Sequence, residues 1–247
     1  MSVFMQERVQ KILASAGIGS RRECEKLISQ GCVTINGEVV TELGIKVDPQ
    51  RAAIKVHGKL LQSPSIYQYL IVHKPQGVLT TMKPDPEGRP TLLSLFGRPL
   101  KTRVFPVGRL DMNSEGLVLL TNDGELTYRM THPGFKLPKT YEVKVHGLPS
   151  KKILDILSNG VNLEDGRTQP AKVKIIRTTG KNTWLKLTIF EGKKRQIRRM
   201  CEKVRLPVSK LKRVMIGPLT LRGLERGQFR FLTNEEITQL KEAVKLS

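Results

Sequence analysis

Residues 108–123, Gly-Arg-Leu-Asp-Met-Asn-Ser-Glu-Gly-Leu-Val-Leu-Leu-Thr-Asn-Asp, set one aspartate in a glycine-bounded, arginine-flanked turn directly before a strongly apolar run. A run of that kind, bracketed by turn residues, reads as a buried strand. The fold must therefore build a core around residues 117–120 and leave Asp111 at the point where the chain enters it. The chain as a whole carries formal charge +21. A carboxylate in so basic a protein is either an ion-pair strut or a reactive group that the basic surface serves.

The charge narrows the choice of partner. Forty-three Lys plus Arg face 22 Asp plus Glu, which favours a polyanion, because each neutralised phosphate releases condensed counterions. The excess is uneven: residues 193–213 hold ten basic side chains and one acid, whereas residues 1–50 hold six of each sign. Nucleic acid is the expected partner. A membrane surface fits less well, since Pro207 interrupts the basic block and no long amphipathic helix with aromatic anchors appears. Apolar runs such as 117–120 are too short to span a bilayer. The N-terminal residues lack the plan of a secretory signal. Cys24, Cys32 and Cys201 are odd in number and have no C-x-x-C spacing, which argues against a disulfide framework or zinc ribbon and for a reducing cytoplasm.

At 247 residues the chain has room for two modest domains. Over residues 5–16, Val9, Ile12, Leu13 and Ala16 recur at helical spacing, with Gly17 as terminator. Ser20 followed by Glu23 is a capping-box pattern for a second helix with Leu27 and Ile28 on its apolar side. Asn36-Gly37 between Cys32-Val-Thr-Ile and Glu38-Val-Val signals a hairpin. Residues 57–66, with Gly58, Ser63, Pro64 and Ser65, read as a linker. Arg8, Lys11, Arg21, Arg22 and Lys26 fall on the two helices, where they can share a basic face. Arg21 and Arg22 open their helix against its dipole, which costs stability unless an anion is near.

This head resembles the S4 RNA-binding domain through Arg8-Val-Gln-Lys-Ile-Leu-Ala, Ser20-Arg-Arg-Glu, Leu27-Ile28 and Gly31-Cys-Val-Thr-Ile-Asn-Gly. The resemblance implies that Arg21 and Arg22 touch RNA backbone. Beyond the linker, strand-like runs begin at Tyr69, Gly116, Thr140, Ala171 and Trp184. Helices are expected over 123–131, 150–159, 194–204 and after Thr233, whose pairing with Glu236 is again a capping box. Strands recur without regular helices between them, which favours a mixed, mainly antiparallel sheet over a doubly wound one. The chain is read as α+β: a small S4-like αα-hairpin domain, residues 1–62, then a mixed, mainly antiparallel β-sheet catalytic domain, residues 63–247.

Several chemistries fall away. His57, His73, His132 and His146 form no H-E-x-x-H, and neither a nucleophile elbow nor a P-loop is present. A calcium loop starting at Asp111 would need a bidentate acid where Asn122 stands. What remains is a set of three motifs in order. Gly108-Arg-Leu-Asp111 with Ser114-Glu-Gly-Leu-Val-Leu-Leu-Thr-Asn-Asp-Gly-Glu-Leu, then Lys139-Thr-Tyr141, then Gly192-Lys-Lys-Arg-Gln-Ile-Arg198-Arg-Met resemble the pseudouridine synthases of the RsuA/RluB type.

The resemblance implies that Asp111 is the catalytic acid, that Tyr141 lies against the uracil, and that Arg198 pairs with Asp111. Arg195 is a second candidate for that pairing, and phosphate contact is the alternative role of Arg198. An isolated tyrosine in such a strand would otherwise be packed in a core. Arg109, Lys193, Lys194, Arg195 and Arg199 are expected on RNA. The reaction is an isomerisation without redox or net hydrolysis, so it calls for no metal or cofactor, and a single RNA site needs no more than a monomer. Ribosomal RNA is the expected substrate, with large-subunit (23S) RNA first and small-subunit (16S) RNA second. Two other classes stay open: a non-catalytic RNA-binding assembly factor, and a metal-dependent nuclease using Asp111, Glu115, Asp123 and Glu125.

Overall fold

The computed structural model describes residues 6–62, 66–98, 100 and 102–246. The chain divides into two compact units, Met1–Tyr67 with Lys101–Arg103, and Gln68–Leu100 with Val104–Ser247. The expected junction between residues 62 and 63 abuts residues 63–65, which lie outside the described residues.

The first unit packs helices α1 (Val9–Ser15) and α2 (Arg21–Ser29) on strands β1 (Val33–Ile35), β2 (Glu38–Val40), β3 (Ile54–Val56) and β4 (Lys59–Leu60). Ser20 and Glu23 form the anticipated capping box. Asn36 (φ 52°) and Gly37 (φ 96°) turn the β1–β2 hairpin with both residues left-handed, which suits the strands' twist. Val9, Leu13, Cys24, Ile28, Val33 and Ile54 close its core. Two expectations need correction here. Glu7–Arg8 is not helical but pairs with Lys46–Val47, so these backbone groups serve a ladder and α1 starts at Val9; Met5 lies outside the described residues. The linker reading over 57–66 begins inside a hairpin, because His57 and Gly58, both with positive φ, turn β3 into β4.

The second unit is built on β5 (Tyr69–Lys74), β6 (Glu115–Thr121), β7 (Lys139–His146), β8 (Lys172–Thr179), β9 (Asn182–Ile189), β10 (Val208–Ile216) and β11 (Phe229–Phe231). Among the described residues these belong to a nine-stranded sheet whose main order is β8-β9-β7-β10-β6-β5-β11. Pairing along it is antiparallel except between β6 and β10. Helices α4 (Lys151–Asn159) and α5 (Gln196–Lys203) cover one face through Leu157, Ile197 and Met200. Helices α3 (Gly124–Thr131) and α6 (Asn234–Ala243) cover part of the other through Leu126, Met130 and Leu240. Caps at Asp123, Ser150 and Thr233 start α3, α4 and α6 close to where the sequence indicates.

Alternation along β5 and β6 splits their side chains between the two cores: Leu70, Val72, Val118 and Leu120 point one way, and Tyr69, Ile71, Leu117 and Leu119 the other. All of Glu115–Thr121 is buried, as its composition indicates. Two of these strands were not expected from the sequence, the edge strand β11 and β10, and β10 runs through the basic block into the middle of the sheet. Its approach to β6 depends on Gly116 (φ 123°), where a Cβ would lie 2.2 Å from the carbonyl oxygen of Arg213.

Candidate active site

Asp111 opens a turn closed by the Ser114 amide on the Asp111 carbonyl at 2.9 Å. Each carbonyl from 110 to 113 has a donor. Thr80 Oγ1 serves Leu110 at 2.7 Å. The Gly77 amide (2.9 Å) and Lys74 Nζ (3.3 Å) serve Met112. Arg198 donates to Asn113 at 2.9 Å. The backbone is thus fixed from three directions, while the Asp111 carboxylate accepts no hydrogen bond among the described residues. Its side chain is 39% exposed, and the cation within ion-pair reach is Arg195, at 3.8 Å. It neither caps its own turn nor is buried in a strut.

The pairing expected of Arg198 is therefore made by Arg195. Arg195 is held at φ 50° just ahead of α5, which aims it at Asp111. Arg198 lies one turn into the helix and spends its guanidinium on the carbonyls of Asn113 and Val208. Burial lowers its pKa, the neighbouring Arg195 lowers it further, and Asp111 opposes both. Arg198 holds the turn; Arg195 faces the acid.

Tyr141 is 7% exposed on β7 and shares a core cluster with Leu110 and Ile197, the neighbours of Asp111 and Arg198. Its cross-strand partner on β10 is Arg213, and no described residue bonds its hydroxyl. The expected residues thus border one core: Arg198 bonds the Asp111 turn at Asn113, and Tyr141 packs in the cluster that includes Leu110 and Ile197. The carboxylates of the nuclease alternative do not: Asp123 caps α3 and accepts from Tyr69, Glu125 pairs with Arg129, and Glu115 is enclosed by cations. Among the described residues no three His, Cys, Asp or Glu side chains are grouped to hold a metal.

A family model described as RNA pseudouridylate synthase matches residues 68–203, and an S4 domain model matches residues 7–51. The chain belongs to the RNA pseudouridylate synthase family. It is 45% identical to an RNA pseudouridine synthase of Aquifex aeolicus over 98% of this chain and 97% of that protein. It is 43% identical to the ribosomal large subunit pseudouridine synthase B of Bacillus subtilis over 95% of this chain and 96% of the relative. A crystal structure of a pseudouridylate synthase, 33% identical, aligns with TM-score 0.68 over 94% of this chain and 99% of that one.

Lys74 and Arg213 of this pseudouridine synthase escaped the sequence reading. Lys74 is fully buried, donating to the carbonyls of Pro75, Val78 and Met112. Burial pulls its pKa down to about 8, against the pull of Asp111 and Glu115 and with help from Arg213. Arg213, 3% exposed, donates through Nε to Leu117, and its Nη2 is buried without a partner among the described residues. The only signal for Lys74 was a lysine-proline step ending an apolar strand; for Arg213 there was none within the basic run.

The remaining expected RNA contacts separate by how their donors are used. Lys193 binds the carbonyls of Asp165 and Gly166, and Arg199 forms a two-pronged pair with Asp165, so both hold the 162–167 hairpin. Lys194, Arg195 and Arg109 remain exposed. In the S4 domain, Arg8, Arg21, Arg22 and Lys26 are exposed, while Lys11 pairs with Glu7 at 2.8 Å.

Proposed function

We propose that this synthase converts a specific uridine of ribosomal RNA, in the large (23S) subunit, to pseudouridine, with Asp111 as the acting acid and the S4 domain holding RNA. The observation that carries this is the Asp111 carboxylate: half exposed, bonded to nothing but a distant arginine, on a turn whose backbone is pinned. Such a group is preorganised for a substrate atom. The N1–C1′ bond breaks, the uracil turns, and C5 bonds to C1′; C5 then gives up its proton and N1 ends with one. Asp111 acts at C1′, as nucleophile or by stabilising and deprotonating the sugar. Tyr141 lies along the uracil and assists the C5 proton's departure. Arg195 sets a positive charge beside the carboxylate, and Arg198 keeps the turn that carries it in place.

A target base must leave its stack, at a cost of a few kcal/mol that RNA contacts offset. Arg8, Arg21, Arg22, Lys26, Arg109 and Lys194 are free to supply those contacts from a cytoplasmic monomer. The choice of 23S over 16S rests on the relative named for the large subunit. The test is a map of pseudouridines in both rRNAs from cells with and without this protein. One 23S site should vanish. Loss of a 16S site instead would transfer the substrate, and unchanged maps with intact RNA binding would favour an assembly factor.

A further inference from the structure

The sheet face opposite Tyr141 is covered by α3 and α6 only over β5, β6 and the end of β10. Across β8, β9, the stretch 142–146 of β7 and the first half of β10 the outward residues are exposed or partly exposed. Their register is explicit. Lys174 lies opposite Lys186. Lys144 lies opposite Lys210 on one side and Trp184 on the other. Glu142, the acid of this set, is flanked by Lys186 and Lys212. Arg177 stacks on Trp184, with its guanidinium carbon 5.3 Å from the ring centre. Between these residues, Leu185, Leu187, Val143 and Leu211 point into the core on the other side.

Lys212 is engaged by Glu115 at 3.6 Å. No described carboxylate lies within 4.0 Å of Lys144, Lys174, Lys186 or Lys210. Lysine directly across from lysine destabilises a sheet, and opposite charges there would stabilise it. This face does the costly thing twice, over four strands spanning about 14 Å at the usual strand spacing. Trp184 and its stacked arginine add a flat surface at the centre.

We infer that this open basic face binds the phosphate backbone of a second segment of the substrate RNA, on the far side of the sheet from Asp111. The inference rests on the RNA substrate proposed above. Phosphates would relieve the lysine–lysine repulsion and leave Trp184 available for an unpaired base. The synthase would then grip its RNA at the S4 domain, at the Asp111 turn and behind the sheet.

The test compares two variants that lose equal charge. One is Lys174→Gln, Lys186→Gln, Lys210→Gln; the other is Lys151→Gln, Lys152→Gln, Lys203→Gln, also exposed but outside this face. Binding to full-length 23S rRNA transcript is measured as log Kd against log salt. The face variant should lose about 2 from the slope, at roughly 0.7–0.9 per phosphate contact, while the control loses less than about 1. Equal losses, or none in either, would overturn the inference. Removing like-charge pairs should leave the face variant's Tm no lower than wild type. If it is lower, Lys186→Gln alone is read the same way, with an expected loss of about 0.8. Failure of wild-type protein to form pseudouridine on either rRNA would sink the proposed function, whereas the slopes would still report on the face.

Discussion

Asp111 and Glu115 stand four residues apart in one motif and live in opposite surroundings. Glu115 starts β6, is 9% exposed, and faces His73 Nε2 at 3.1 Å, Arg226 at 3.1 Å and Lys212 at 3.6 Å. Both carboxylate oxygens of Glu115 face partners inside the protein. Asp111 has its backbone fastened and its carboxylate left over. Both acids contribute to the field at Lys74, so one buried cation serves a strut and a reagent together. Charge in the neighbourhood does not separate the two roles; the hydrogen bonds left unmade do.

The largest stability effect should come from Glu115→Gln, which keeps the shape but leaves Lys212 and Arg226 without their counter-charge. A loss of about 3 kcal/mol is expected, as for other broken buried pairs, with turnover per folded molecule within a few-fold of wild type. Unchanged denaturation would show that Glu115 is no strut.

Lys74→Met sharpens the shared field. The Lys74 pKa of about 8 lies below the unfolded value near 10.4. Between those values the unfolded chain keeps a proton that the folded chain sheds, so wild type should gain stability over the variant as pH rises. The gap should be flat below pH 8 and widen by on the order of 2–3 kcal/mol towards pH 10.4. Urea midpoints at stepped pH measure this, and a gap flat across the window would contradict the buried charge.

Arg198→Ala should follow, with about 2 kcal/mol lost because the Asn113 and Val208 carbonyls lose their donor. Turnover should fall about 100-fold as the turn loosens. Arg195→Ala should be the mildest, below about 1 kcal/mol and no more than about fivefold in rate, since the pair is long and exposed. Reversal of that order in steady-state rates would restore Arg198 as the direct partner of Asp111.

Local signals carried much of this into the sequence. Ser20 with Glu23, Thr233 with Glu236, and Asn36-Gly37 name their own geometry within four residues, and the run after Gly116 could only be buried. What stayed hidden depends on distant chain. Val208–Ile216 looks basic because Lys210 and Lys212 face outward; only the partner strands show that Leu211 and Arg213 face in. The burial of Lys74 is set by three carbonyls, one of them at Met112. Arg195 and Arg198 differ by the backbone angle of one residue before a helix, which no motif spells out.

The most direct test of the reagent reading is tritium release from 5-tritiated uridine in rRNA by purified Asp111→Asn, beside its melting curve and RNA affinity. Release should fall by at least about 10³-fold, with Tm and affinity close to wild type. Full release by this variant, or a collapse of its fold, would make Asp111 a strut like Glu115.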